Sequence, residues 1–135
     1  MPELWGMKTK TTQYEQGLAL LERLHGGQSG EQLVQSLKDI CPDFVDMTLE
    51  WAMAGIMGRP GLNLLTRELL LIASCVTIGG GAEPQLVAHI DAAIKEGATR
   101  EQVVETILQM LFYAGGVKVS NALRGAKEVF KQHNI

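Results

Sequence analysis

Apolar residues recur along this chain at helical spacing, and no segment shows the sustained alternation of a β-strand. Between Arg100 and Ala114 the apolar positions follow the i, i+3, i+4, i+7, i+8 pattern of an amphipathic helix: Val103, Val104, Ile107, Leu108 and Leu111. This pattern predicts an all-α fold of about seven helices in a single domain over residues 12–133. Residues 1–11 are predicted to form a flexible N-terminus.

The predicted helices begin and end at residues typical of helix termini. Asn63 is placed to cap the helix Leu64–Ile78, and a run of three glycines follows it. Thr99 and Gln102 match a capping box at the start of Arg100–Ala114. The other predicted helices are Tyr14–His25, Glu31–Ile40, Phe44–Met57 with Asp43 as its cap, one with Pro84 in its first turn that ends at Gly97, and a last one through Val119 and Phe130.

The helix Phe44–Met57 is apolar nearly all round. A helix with so little polar surface must be covered on more than one side. Its apolar content exceeds what one face needs for packing into a core, so we expect a second covering surface.

Composition narrows the class of protein. The chain has 135 residues, of which 46% are hydrophobic and 20% charged, with a formal net charge of −3; this excludes intrinsic disorder and disfavours a nucleic-acid surface. Two cysteines provide no disulfide framework and fit a reducing cytosol. Met1–Lys10 lacks the apolar stretch of a signal peptide, and Leu69–Val76 is too short to span a membrane. We therefore expect a cytoplasmic protein without a membrane or nucleic-acid partner.

Common catalytic motifs are missing from the sequence. It contains no phosphate-binding loop, no zinc-binding H-E-x-x-H and no nucleophile elbow. The three histidines are too scattered to predict a metal site. Any catalysis would have to rest on carboxylates, a histidine, a thiol and backbone amides at helix ends.

Glu68 is the most informative single residue. On a helical surface its neighbours are Leu64, Leu71, Ile72 and Cys75, so its carboxylate projects from an apolar sector. Such a carboxylate must be paired, protonated or held in a functional pocket, which suits acid–base chemistry. The alternatives are a structural ion pair with Arg59 or Arg67, and exposure in the first turn.

Cys75 and His89 are the other candidates, and each has a plain structural alternative. Cys75 lies on the same helix face as Glu68, two turns on, where a cysteine is most often a small buried hydrophobe. His89 borders the apolar stripe of its helix, so one ring nitrogen can face a cleft. Boundary histidines are more often hydrogen-bonded packing residues.

Several segments, in their order and spacing, resemble the carboxymuconolactone decarboxylase family. The likeness covers residues 14–131 and is carried by Glu50-Trp51, Gly58-Arg59-Pro60-Gly61-Leu62, Leu65-Thr66-Arg67-Glu68-Leu69-Leu70, Leu86-Val87-Ala88-His89-Ile90, Ala93–Glu101, Gln109–Gly115 and Asn121-Ala122. The resemblance implies an all-α, alkylhydroperoxidase D-like protein that assembles as trimers or hexamers, with active sites near subunit contacts. It also implies that a partner copy covers the excess apolar surface of Phe44–Met57.

The resemblance also indicates a branch of the family. The alkylhydroperoxidase D-like branch uses a glutamate, a C-x-x-C pair and a histidine four residues beyond the second cysteine. Glu68 and His89 match the outer members, but Ala82 and Gln85 stand at the cysteine positions. Since thiol exchange needs a thiolate and a resolving partner, the chain looks like the decarboxylase branch.

The implied function is a cofactor-free carboxy-lyase of aromatic catabolism, acting on 4-carboxymuconolactone or a similar small carboxylated lactone through a dienolate. Glu68 and His89 would be catalytic, with His89 donating or shuttling a proton and Glu68 orienting it or serving as the acid. Arg59 or Arg67 would bind a substrate carboxylate, and Trp51, Cys75 and Tyr113 would line the substrate site. No metal or organic cofactor is expected.

Two departures from the family pattern affect the expected substrate pocket. The usual Tyr-x-Gly-x-Pro reads Tyr113-Ala114-Gly115-Gly116-Val117, without proline, and Val76–Pro84 is rich in glycine. Two other functions stay open: a thiol-dependent peroxidase or reductase with a single cysteine, and a non-catalytic oligomeric binding protein of the same fold.

Overall fold

A computed structural model describes residues 11–135, and all of their regular elements are helical. Residues 1–10, which carry most of the predicted flexible N-terminus, lie outside the described residues. The described chain divides into two compact units, residues 11–61 and residues 62–135. No helix in the described part is long and apolar enough to cross a membrane.

The first unit contains three α-helices and a π-helical segment. The helices are α1 (Thr12–His25), α2 (Ser29–Leu37) and α3 (Pro42–Met47), and α3 continues directly into the π-helical segment Thr48–Met57. Helix α1 packs against this segment, and the approach is so close that a Cβ on Gly17 would lie 1.8 Å from the carbonyl oxygen of Leu49. The buried apolar side chains of the unit lie at this contact and next to it: Leu24, Val45, Leu49, Met53 and Met57.

The segment from Pro42 to Met57 differs from its prediction in two ways. The helix begins at Pro42 rather than after a capping Asp43, because proline suits the first turn of a helix. From Thr48 the backbone is π-helical, which changes the angular spacing of its side chains. One face is buried, whereas Phe44, Met47 and Trp51 are 52%, 57% and 70% exposed in the described chain. The cover expected for the second face therefore stays a prediction.

The second unit contains α4 (Leu64–Ile78), α5 (Glu83–Lys95), α6 (Arg100–Gln109) and α7 (Gly116–Gln132), with a 3₁₀ turn at Met110–Phe112. The bounds of α4 are confirmed to the residue, because the Asn63 side chain accepts a hydrogen bond from the Thr66 amide and the chain leaves the helix at Gly79. The capping box of Thr99 and Gln102 is also confirmed. Helix α6 ends earlier than predicted, at Gln109 instead of Ala114.

The four helices of this unit enclose its apolar core. Fully buried side chains come from every helix, including Ile72 of α4, Ile90 of α5, Ile107 of α6 and Val129 of α7. Helix α5 packs against both α4 and α7. This arrangement puts the side chains at the border of α5 within reach of polar groups on two neighbouring helices.

Candidate active site

The candidate site is a hydrogen-bonded pair between α4 and α5. Glu68 lies in the second turn of α4 and is 0% exposed, and its Oε1 lies 2.7 Å from Nδ1 of His89 on α5. The sequence placed Glu68 in an apolar sector, and the structure confirms that it is buried. The partner of its Oε1 is His89.

His89 connects this buried carboxyl group to the outside of the protein. The side chain of His89 is 20% exposed, whereas that of Glu68 is fully enclosed. A carboxylate only accepts hydrogen bonds, so Nδ1 donates when Glu68 is ionised, and this contact holds the imidazole ring in a defined orientation. The pair therefore links a group that cannot reach solvent to one that can.

The second carboxyl oxygen of Glu68 is unsatisfied. Among the described residues, Oε2 is the buried side-chain nitrogen or oxygen atom that has no hydrogen-bond partner. Leaving a buried polar group without a partner costs about 1–3 kcal/mol, and more when the group is charged. Native structures keep such atoms mainly where a catalytic role, a bound water or a ligand explains them.

Cys75 lies two turns beyond Glu68 on the same face of α4 and is 8% exposed. Burial raises the pKa of its thiol, and the nearby negative charge of Glu68 raises it further. The same side chain lines a cavity of about 40 Å³ between the end of α4, the start of α5 and α7. The raised pKa makes Cys75 a poor nucleophile, since the thiolate is the reactive form.

Three polar side chains line this small cavity together with Cys75, namely those of Glu83, Lys118 and Asn121. Lys118 of α7 donates from Nζ to the carbonyl oxygen of Thr77 at 2.9 Å, which satisfies an otherwise open carbonyl in the last turn of α4. Asn121, one turn further along α7, also lines the cavity. A volume of this size suits one water molecule rather than an organic substrate.

Of the four remaining predicted site residues, Arg67 and Tyr113 lie in the second unit, and Trp51 and Arg59 lie in the first. Arg67 neighbours Glu68 in the chain, and its Nε donates to the carbonyl oxygen of Leu62 at 3.1 Å. Tyr113 is 96% exposed and lies with Phe112 at an open groove whose lining includes neither Glu68 nor His89. Trp51 and Arg59 belong to the first unit and are both exposed. The substrate-binding roles of these four residues stay predictions.

The sequence reasoning missed a second histidine–carboxylate pair, between α5 and the residue that follows α7. Nε2 of His133 lies 2.7 Å from Oδ1 of Asp91, and Lys95 contacts the other oxygen at 2.9 Å. Burial alone raises the pKa of Asp91, but the hydrogen bonds and charges of Lys95 and His133 outweigh it and hold the pKa below its usual value. The i, i+4 spacing of Asp91 and Lys95 was a signal that could have revealed part of this cluster.

The chain belongs to the carboxymuconolactone decarboxylase family, whose model matches residues 42–128. The match includes both members of the buried pair. It confirms the resemblance carried by the sequence segments, and the all-helical architecture of the described residues agrees with it.

Individual relatives add detail. The chain is 33% identical over 122 residues to a 4-carboxymuconolactone decarboxylase of Acinetobacter baylyi, covering 90% of each chain. It is 31% identical over 101 residues to an uncharacterized 15.0 kDa protein of Paracoccus denitrificans, covering 75% of each. It is 26% identical over 102 residues to a nitrosuccinic acid decarboxylase of Metarhizium robertsii, covering 76% of this chain and 70% of the relative. Similarity to two named decarboxylases indicates a decarboxylase-type function.

Proposed function

We propose that this protein is a cofactor-free decarboxylase that acts on 4-carboxymuconolactone or a similar small carboxylated lactone. The observation that carries the proposal is the buried Glu68–His89 pair, with 2.7 Å between Oε1 and Nδ1. A fully enclosed carboxyl group that is hydrogen-bonded to a partly exposed imidazole is suited to transferring a proton between solvent and a reaction site from which water is excluded.

The chemistry of such a substrate explains why a proton-transfer pair is enough. In a lactone whose carboxylate is conjugated to the ring carbonyl, the electron pair released with carbon dioxide is delocalised onto the lactone oxygen as a dienolate. The protein then has to keep water away, stabilise the developing charge and return a proton to carbon. Glu68 and His89 supply the proton, and no step requires a metal or an organic cofactor.

The named relatives support the reaction class. The Acinetobacter baylyi relative is named for 4-carboxymuconolactone and the Metarhizium robertsii relative for nitrosuccinic acid. Both names describe loss of carbon dioxide from a small carboxylic acid. An arginine is the natural partner for a substrate carboxylate, because its guanidinium group binds both oxygens. We propose Arg59 or Arg67 for that role, and Trp51, Cys75 and Tyr113 as lining of the substrate site.

The thiol-dependent alternative has less support. It would require a reactive thiolate at Cys75, but burial and the charge of Glu68 raise the pKa of that thiol. The same side chain is 8% exposed, which also slows attack by an external thiol or peroxide.

We further propose that the protein is a cytoplasmic homo-oligomer, a trimer or hexamer, with one domain over residues 12–133. Large apolar side chains stay uncovered in the described chain, among them Trp51 at 70% exposure and Phe112 at 76%. Uncovered apolar surface of this kind is typical of subunit contacts.

The test is a decarboxylation assay with purified protein. Glu68→Gln and His89→Asn should each lower kcat for release of carbon dioxide from 4-carboxymuconolactone by about 10²–10⁴-fold, the usual contribution of a general acid or base. Matched controls carry the same changes elsewhere: Glu105→Gln on the exposed side of α6 and His133→Asn. Turnover should also survive dialysis against a chelator.

The proposal fails if both pair variants keep wild-type turnover while their helical content, measured by circular dichroism, is unchanged. It also fails if the wild-type protein releases no carbon dioxide from any small carboxylated lactone. In that second case, a non-catalytic binding protein of the same fold becomes the better explanation.

A further inference from the structure

We infer that Oε2 of Glu68 donates the proton to the substrate carbon, and that His89 reprotonates Glu68 with a proton from solvent. The inference rests on the proposed decarboxylase function and decides a point that function leaves open. Either member of the pair could be the acid that meets the substrate, and the two oxygens of Glu68 are not equivalent in the structure.

The two carboxyl oxygens of Glu68 differ in their hydrogen bonding. Oε1 is engaged by Nδ1 of His89 at 2.7 Å. Oε2 is the buried side-chain nitrogen or oxygen that finds no hydrogen-bond partner among the described residues. The carboxyl group therefore has one oxygen bound to the imidazole and one that lacks a partner within the described part of the chain. Because the side chain is 0% exposed, bulk water does not solvate that second oxygen.

The protonation state of Oε2 decides which part of a ligand can lie against it. A carboxylate held there would face a like charge whenever Glu68 has given up its proton, which is strongly unfavourable away from water. A group that takes up a proton is favourable there, because protonation of Oε2 removes the buried charge and turns the atom into a donor. The carbon of a dienolate is such an acceptor. Oε2 is therefore suited to the reacting carbon rather than to the leaving carboxylate.

The proton that reaches the substrate carbon comes from Glu68 and is replaced through His89. The bond to the leaving carboxylate breaks and its electron pair enters the conjugated lactone, giving carbon dioxide and the dienolate. The Oε2–H bond then breaks as the new C–H bond forms, and Glu68 is left as a carboxylate. Nδ1–H of His89 gives its proton to Oε1 as Nε2 takes one from solvent, so the ring changes from one neutral tautomer to the other. Loss of a proton from Nε2 to water and gain of one at Nδ1 then restore the starting tautomer, and a half-turn of the carboxyl group returns the O–H to the Oε2 side.

This assignment makes Glu68 a catalytic residue in contact with the reacting carbon, and His89 a relay that acts through it. The two roles differ in what they determine. Only the group that meets the carbon fixes the face from which the proton arrives. The relay residue, His89, determines how fast the carboxylate of Glu68 is protonated again.

The test is to run the reaction in deuterium oxide and locate the deuterium in the product by proton NMR with a chiral solvating agent, which separates the signals of the two otherwise equivalent hydrogens of the new CH₂ group. The wild-type protein should place one deuterium on a single face of the new CH₂ group. Glu68→Gln should lower the rate at least about 10²-fold and distribute deuterium equally over both faces, because solvent then protonates the released dienolate. His89→Asn should also slow turnover but keep the single-face label.

Glu68→Asp is the matched variant, because it keeps the acid and shortens the side chain by one methylene; it should be slower and still label one face. Circular dichroism of each variant checks that it is folded. The inference is overturned if Glu68→Gln keeps single-face labelling, or if His89→Asn loses it. Wild-type turnover with label on both faces overturns the inference alone, whereas no wild-type turnover overturns the proposed function with it.

Discussion

Replacing His89 by alanine is expected to destabilise the fold far more than replacing Glu68 by methionine. The reason is the unequal burial of the two partners, which are 20% and 0% exposed. Without His89, both oxygens of a fully enclosed carboxyl group lack a donor. Without Glu68, the imidazole that remains reaches water at its exposed edge.

The magnitudes follow from this difference. Removing one partner of a buried pair typically costs about 3–5 kcal/mol, and this is the expected loss in the free energy of unfolding for His89→Ala. Methionine at position 68 is of similar length to glutamate and is apolar, and it also removes the unpartnered Oε2. Because the imidazole left behind is partly exposed, we expect Glu68→Met to cost about 1 kcal/mol or less. Adding Glu68→Met to His89→Ala should recover at least about 2 kcal/mol.

The measurement is urea denaturation at neutral pH, followed by circular dichroism at one fixed protein concentration, because association would make the apparent stability depend on concentration. The four proteins form a double-mutant cycle. Two results would refute the reasoning: Glu68→Met as destabilising as His89→Ala, or a double variant no more stable than His89→Ala alone. Either would mean that the pair is a net source of stability rather than a cost accepted for function.

Three further predictions concern other parts of the chain. Alkylation at neutral pH should modify the exposed Cys41 well before the buried Cys75, because burial and a nearby negative charge raise the pKa of the Cys75 thiol. Peptide mass spectrometry measures the two rates, and equal rates would contradict this prediction. Gly79→Ala should lower the free energy of unfolding by about 1 kcal/mol or more. The reason is that φ of Gly79 is +82° and an added Cβ would lie 3.0 Å from the side chain of Lys118. Gly80→Ala is the control and should not lower stability, because nothing lies within 4 Å of an added Cβ there. Asp91→Asn should lower the free energy of unfolding by about 1 kcal/mol at neutral pH. Because the pKa of Asp91 is lowered in the folded state, this difference in stability from wild type should disappear as the pH falls below the usual pKa of 3.8. A difference that is constant with pH would contradict this.

Local signals in the sequence were enough to predict most helices of the second unit. The bounds of α4 follow from a side-chain cap at Asn63 and a glycine after the last turn, and both act over a few residues. The capping box at Thr99 works in the same way. Helix α6 ended early because Met110–Phe112 tightens into a 3₁₀ turn before Gly115, and helical periodicity does not reveal where that happens.

The first unit was less predictable. An apolar run such as Phe44–Met57 predicts a helix, but its hydrogen-bonding pattern depends on what it packs against. The structure shows a π-helical segment from Thr48 closely packed on Gly17 of α1, a contact between residues far apart in the chain. The exposed Tyr113 illustrates the same limit, because a residue within a recognisable segment can lie at an open groove rather than beside Glu68.

By itself, the sequence determined that the chain is helical, that Glu68 projects from an apolar face, and that no dithiol accompanies it. These properties depend on hydrophobic periodicity and on which residues stand at given positions, and both can be read from the order of residues alone. Glu68 and His89 are 21 positions apart in the sequence and lie on different helices, so only the packing of α5 on α4 brings them into contact. The tertiary structure also decided that one oxygen of the carboxyl group stays without a partner, because hydrogen-bond satisfaction depends on every group brought into the core.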